Sequence, residues 1–262
     1  AGGGMFGRLV YNYVYWNRGP AEAPACAGGD YSARLSDLPG GIVKRGPWVI
    51  GLSGIPSRTR NHLFTLDRQN LLSVWHRDCG LVIGGGNNRD NPRSATFYCR
   101  VPNDPTAIVH NITHEDVYVP ADAALTIDSS GGELDAGYYG FDARLTVRAI
   151  DERTCRIVAF VGTLPVNDPV TLNLNLLVKP DEPLLTAAGP VALGQNNVEL
   201  SGEKLGGWVG QGRWRLTAPP DSRLSYPMIP FRCNPQTQAL ARLAVLTVPV
   251  TNRQVEATLR VE

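Results

Sequence analysis

The chain has 262 residues, enough for one large all-β unit or two modest domains with a sizeable buried core. Lys and Arg number 25 against 24 Asp and Glu, and this balance excludes a dedicated nucleic-acid surface and a charge-rich disordered chain. Gly (28) and Pro (20) are abundant and Met is scarce at 2, which favours many turns over long helices. No apolar run approaches the roughly 20 residues of a membrane helix. No basic start followed by an apolar stretch marks a signal peptide, and the uncharged opening Ala1-Gly2-Gly3-Gly4 suits a processed end.

Period-two segments dominate in chain order. From Arg8 to Trp16, Tyr11, Tyr13 and Tyr15 share one face, with Val10, Val14 and Trp16 on the other. Strands are then predicted at Trp48–Leu52, His62–Leu66, Leu71–His76, Leu81–Gly84 and Ala95–Val101. Val117–Ile127, Tyr138–Ile150, Cys155–Val161 and Val170–Val178 follow. The last group is Asn197–Ser201, Gly212–Ala218, Ala244–Val250 and Val255–Val261. All are rich in Val, Leu, Tyr, Phe and Thr and are bounded by Gly, Pro, Asn and Asp. Val170-Thr171-Leu172-Asn173-Leu174-Asn175-Leu176 alternates most cleanly and predicts a half-buried antiparallel strand with Thr and Asn on the open face. Asp151-Glu152-Arg153-Thr154 predicts a hairpin turn, and Thr237–Leu243 is the one short helix expected.

The pattern predicts an all-β fold, an antiparallel β-sandwich or a stacked multi-sheet supersandwich with little helix. Residues 1–262 read as one continuous β unit. Pro180-Asp181-Glu182-Pro183 is the best candidate for a break between sub-units, with Pro102-Asn103-Asp104-Pro105 second. Five cysteines (Cys26, Cys79, Cys99, Cys155, Cys233) lie far apart without C-x-x-C spacing, so no structural zinc site is expected. Disulfides and buried free thiols both remain open, and an odd count leaves at least one thiol outside any internal pair.

Several segments carry candidate chemistry. Gly84-Gly85-Gly86 followed by Asn87-Asn88 lets backbone approach a ligand closely, with two carboxamides that both donate and accept. The same segment also serves as a wide turn with Asn caps. His110 and His114 stand four apart in a strand-like context, roughly 13 Å between them, too far for local chelation. Asn111-Ile112-Thr113 is a glycosylation sequon. His76 at a strand end is a candidate general base. Trp208 and Trp214, with Arg213 between them in a Gly-rich stretch, suit an acidic sugar: a ring to stack and a guanidinium for the carboxylate. Large aromatics that fill the space between two sheets give the same pattern.

Leu66-Asp67-Arg68-Gln69-Asn70, Leu72-Ser73 with His76, Gly80-Leu81-Val82-Ile83, Gly85-Gly86-Asn87 and Pro92 through Ala95-Thr96-Phe97 resemble the β-sheet region that follows the helical toroid in heparinase II/III-like proteins. Pro183 to Gly189, Leu205-Gly206-Gly207-Trp208, Gly212 to Leu216 and Pro227-Met228-Ile229-Pro230-Phe231 extend the resemblance. It implies a β-sandwich belonging to a polysaccharide-lyase-like protein. Members eliminate across uronic-acid linkages, with Tyr and His of the toroid as base and acid, and the β region adds a His and, in some, a zinc site. This chain has no toroid, so the resemblance implies a non-catalytic or accessory module that supports a cleft and contacts acidic polysaccharide beside a helical catalytic domain or subunit. His76, Asn87 and His110 are the candidate catalytic positions; Asn88, Trp208, Trp214 and Arg213 are the candidate substrate contacts. Neither a cofactor nor a resident metal is otherwise expected, no nucleic acid or membrane span is expected, and an extracellular or periplasmic location follows. Two rival readings stand: a structural surface or fibre subunit that assembles through β edges, and a stand-alone polysaccharide lyase or hydrolase.

Overall fold

The computed structural model describes residues 28–54, 70–84, 95–99, 109–110, 117–118, 120–138, 141–163, 169–194, 197–228 and 243–262. The first strands are β1 (Tyr31–Arg34), β2 (Gly40–Arg45), β3 (Trp48–Ser53), β4 (Leu72–His76), β5 (Gly80–Ile83), β6 (Phe97–Tyr98), β7 (Val109–His110) and β8 (Val117–Tyr118). Next come β9 (Pro120–Ile127), β10 (Gly131–Tyr138), β11 (Asp142–Ala149), β12 (Thr154–Val161), β13 (Thr171–Leu177), β14 (Leu184–Thr186) and β15 (Gly189–Val191). The chain ends with β16 (Val198–Ser201), β17 (Trp208–Gln211), β18 (Trp214–Thr217), β19 (Arg223–Tyr226), β20 (Leu243–Pro249) and β21 (Gln254–Val261).

These strands form two large antiparallel sheets. One runs β1-β2-β3-β4-β5-β13-β20-β19-β16, with β6 also paired to β13. The other runs β15-β14-β17-β18-β21-β12-β11-β10-β9, and β7 pairs β8 separately. The protein is therefore an all-β sandwich, as the alternation predicts. Alternate residues of each sheet point into one shared apolar layer: Ile50, Val74, Leu174 and Leu246 from the first, Leu145, Ile157, Leu216 and Leu259 from the second. At roughly 1.5–3 kcal/mol per buried aliphatic side chain, this layer is the main stabilising contribution.

Polar ties fix how the sheets sit on each other. Trp48 Nε1, from β3, donates to the Asp151 carbonyl at 2.8 Å, in the tight turn between β11 and β12 of the opposite sheet. The turn that the sequence predicts at 151–154 is thus also a docking point. The chain crosses from one sheet to the other between β13 and β14, where Pro180-Asp181-Glu182-Pro183 lies.

Some expectations change. Both faces of β13 are buried: Asn173 and Asn175 are 2% and 1% exposed, so the strand is not half-buried. Segments above the sheet cover its Asn face; Asn173 Nδ2 donates to the Ala95 carbonyl at 3.0 Å. The sequence G-G-E-L-D-A-G-Y carries poor strand formers, yet it makes the eight-residue β10. Its glycines are there for space, since a Cβ at Gly131 would run into the Val147 carbonyl of β11. Tyr138 accordingly closes β10 instead of opening β11. The strands β1, β2, β7, β14, β15, β17 and β19 also lie outside the predicted set. Leu243 opens β20, while the rest of the expected helix, residues 237–242, lies outside the described residues. So do the Tyr11-Tyr13-Tyr15 strand, the His62–Leu66 strand, Cys26 and Cys233. Cys79 and Cys155 form no disulfide; burial pushes the Cys155 thiol up to about 12, which leaves it a protonated core side chain.

Candidate functional site

The outer face of the ten-stranded sheet carries a cleft of about 870 Å³ at its β13-β20-β19-β16 end. Its floor follows from register. Asn173 stands opposite Thr247, Thr247 opposite Arg223, and Arg223 opposite Ser201. Four neighbouring strands therefore carry one polar side chain each in a single row, roughly 14 Å long at the usual strand spacing; Asn173 is buried at one end of it, and Thr247, Arg223 and Ser201 reach the cleft. The adjacent row runs Asn175, Val245, Ser225, Glu199 by the same pairings. Each strand contributes because its alternate residues, such as Leu172, Leu246, Leu224 and Leu200, are claimed by the core. Tyr98, paired across from Thr171, rises at one end of the cleft; Met228, packed on Val245 and Leu243, closes the other.

The charge layout is specific. Among the described residues Arg223 has no carboxylate partner. On the outer face of the other sheet Arg144, Arg148, Arg156 and Arg215 are paired with Asp135, Asp128, Glu256 and Glu262 respectively. Four arginines of the second sheet are thus paired, while the cleft keeps an exposed guanidinium. Glu199 accepts a hydrogen bond from Ser225 Oγ at 2.8 Å, and Asp221 lies in the turn two residues before Arg223. Hydroxyls, a half-buried tyrosine, one guanidinium and two carboxylates are a set suited to a hydroxyl-rich ligand.

The residues singled out from sequence are spread over the molecule. His76 is 2% exposed and packs edge-on against Trp48 at 4.4 Å between ring centroids. Its Nδ1 accepts the Asp78 N–H at 3.1 Å, which leaves Nε2 to donate to the Glu152 carbonyl, also at 3.1 Å. Burial holds its pKa below 6.5. Both ring nitrogens are engaged inside the fold, so the structure gives His76 a tie between sheets and no open position facing a substrate.

Trp208 and Trp214 do not form a joint platform. The two-residue turn at Gly212-Arg213 places Gln211 opposite Trp214 and Trp208 opposite Thr217, and this reversal sends the two indoles to opposite faces. Gly212 supplies the positive φ of 58° that the turn requires. Trp214 is 5% exposed and fills the core. Trp208 is half-buried under the Arg215 guanidinium, 4.7 Å from the ring centroid. Arg213 is exposed but occupied, donating to the Glu262 carbonyl at 2.7 Å with Asp78 3.5 Å away. Asn87 and Asn88 lie outside the described residues; for His110 only the backbone of β7 is described. The zinc that some heparinase-like members carry finds no set of three His, Cys, Asp or Glu ligands among the described residues.

Arg223, Ser201, Thr247 and Glu199 escape the sequence reading. The only local signal is the alternation in V-E-L-S and R-L-S-Y, which any half-exposed strand shows. Their convergence depends on pairing between residues 22 to 26 positions apart in the chain.

No family model matches the sequence, and no curated protein matches it. Among solved structures, a heparan sulfate lyase HepC mutant from Pedobacter heparinus matches 95% of this chain at 10% identity and a TM-score of 0.49. A heparinase III gene product matches 95% at 10% identity and 0.38, and a 4-alpha-glucanotransferase from Thermococcus litoralis matches 88% at 9% and 0.42. This chain spans 38% of each of the first two and 39% of the third. No helix among the described residues is long and apolar enough to cross a membrane.

Proposed function

We propose that this chain is an accessory β-sandwich module of a polysaccharide-lyase-related protein, and that it holds acidic polysaccharide in the outer-face cleft beside a separate catalytic part. The observation that carries this reading is the Thr247–Arg223–Ser201 row, with a guanidinium unpaired among the described residues on the floor of an open cleft. Arg223 takes a carboxylate as a charge-assisted pair, and the flanking hydroxyls bond to sugar hydroxyls. The contact thus moves from the Trp208/Trp214 hairpin, expected from sequence, to the opposite sheet.

The test is titration of the whole chain with hyaluronan at low salt, followed by calorimetry. Binding that weakens about tenfold or more in Arg223→Gln, with unchanged thermal unfolding, supports the reading. Binding that ignores Arg223→Gln, or no binding to any uronic-acid polymer, removes it.

A further inference from the structure

We infer that the cleft selects acidic polysaccharide of low charge density, in which each anionic sugar is flanked by uncharged rings, and that Glu199 and Asp221 are the residues that set this limit. The inference rests on the reading of the cleft as a polysaccharide site and adds the substrate class.

The argument is one of charge placement. Among the described residues Arg223 is the cation of the cleft floor, and two carboxylates flank it. Arg223 pairs across with Ser201, and Glu199 pairs across with Ser225, so Arg223 and Glu199 are diagonal neighbours on adjacent strands. Diagonal neighbours lie roughly 7–8 Å apart. Asp221 is two residues upstream of Arg223, held at a φ of 65° in the turn that leads into β19. These separations fall within a Debye length of about 8 Å at physiological ionic strength, so an anion seated on Arg223 still senses both carboxylates, and a second anion beside it meets them directly.

The formal charge of the three residues is −1, one cation against two anions. A ligand bearing one anionic group gains the Arg223 pair. Its uncharged neighbours donate hydroxyl hydrogens to the Glu199 carboxylate and exchange hydrogen bonds with Ser201 and Thr247. A sulfated, carboxylated polymer gains the same single pair and places its next charges against Glu199 or Asp221, with no further cation among the described lining residues to receive them. Glu199 is already oriented for the accepting role by the Ser225 hydroxyl at 2.8 Å. Discrimination therefore comes from repulsion of the dense polymer as much as from attraction of the sparse one.

The experiment compares hyaluronan, where an uncharged ring follows each carboxylate, with heparin fragments of the same length, which are sulfated as well. Affinities are measured on the whole chain at physiological ionic strength for the wild type, the Glu199→Gln/Asp221→Asn double variant and Arg223→Gln. The wild type is expected to favour hyaluronan. The double variant is expected to raise heparin affinity roughly fivefold or more while changing hyaluronan affinity less. Equal or stronger wild-type binding of heparin overturns the inference, as does a ratio that the double variant leaves unchanged. In both of those outcomes hyaluronan binding that depends on Arg223 leaves the cleft reading standing; loss of that dependence brings down both. Thermal unfolding checks each variant, and the two single substitutions decide the matter if the double variant does not fold.

Discussion

The Gln211 carboxamide closes on the backbone of Lys179. Its Oε1 accepts the Lys179 N–H at 2.8 Å, and its Nε2 donates to the Lys179 and Glu182 carbonyls, both at 2.9 Å. Gln211 is 3% exposed, so one buried side chain satisfies three backbone groups of the segment that carries the chain from one sheet to the other. The Pro-rich stretch that reads as a break in the sequence is pinned to β17.

Replacing Gln211 with Leu keeps the volume and removes all three bonds. A loss of about 2–4 kcal/mol is expected, because the buried backbone groups are left without partners. Chemical denaturation measures it, and limited proteolysis should show faster cleavage near residues 179–183. A loss below about 1 kcal/mol would mean that water replaces the carboxamide without cost.

His76 gives a pH prediction. Burial lowers its folded-state pKa below the unfolded value of 6.5. The unfolded chain therefore binds the proton first as pH falls, and stability declines from about pH 6.5 downward until the folded pKa is passed. His76→Phe keeps the packing on Trp48 but leaves the Glu152 carbonyl without its donor. It should cost about 1–3 kcal/mol at neutral pH and flatten the stability curve between pH 5 and 7. An unchanged slope in urea melts across that range would show that His76 is not the titrating group.

Asp128 gives a dependence of the same sign, displaced to lower pH. Hydrogen bonds from Ser130 and the Arg148 guanidinium hold its carboxyl far below the usual carboxylate range. Its contribution is present above about pH 4 and is lost as pH falls through the depressed folded pKa. Because the pair is about half exposed, Asp128→Asn should cost only about 1 kcal/mol at pH 7 and less in acid. Thermal melts at pH 7 and pH 3 decide this; an equal loss at both would assign the effect to turn geometry alone.

The two tryptophans should separate cleanly. Trp214→Ala opens the core and is expected to cost about 3–5 kcal/mol. Trp208→Ala removes a surface contact with Arg215 and should cost about 1 kcal/mol or less, with uronic-acid polymer binding unchanged. Loss of polymer binding on Trp208→Ala would return the site to the β17–β18 hairpin.

The alternation of apolar and polar residues fixed much in advance. It placed β3, β4, β12, β13, β20 and β21 nearly as they stand, because a strand with one face in a core must alternate whatever its partners are. Trp48, Leu174 and Leu259 could be read as core on that ground. Strands such as β10 and β17 were not legible, since their glycines answer to neighbouring strands and carry no strand preference of their own.

The site divides along the same line. That Glu199, Arg223 and Thr247 alternate with apolar residues was written in the chain, and so was the supply of hydroxyls and charge. That they meet in one row, that His76 is enclosed, and that Trp208 and Trp214 face opposite ways was decided by register and turn length. A pairing shift of one residue, or a turn of different length, reverses which side chains share a face, and local sequence does not encode that choice.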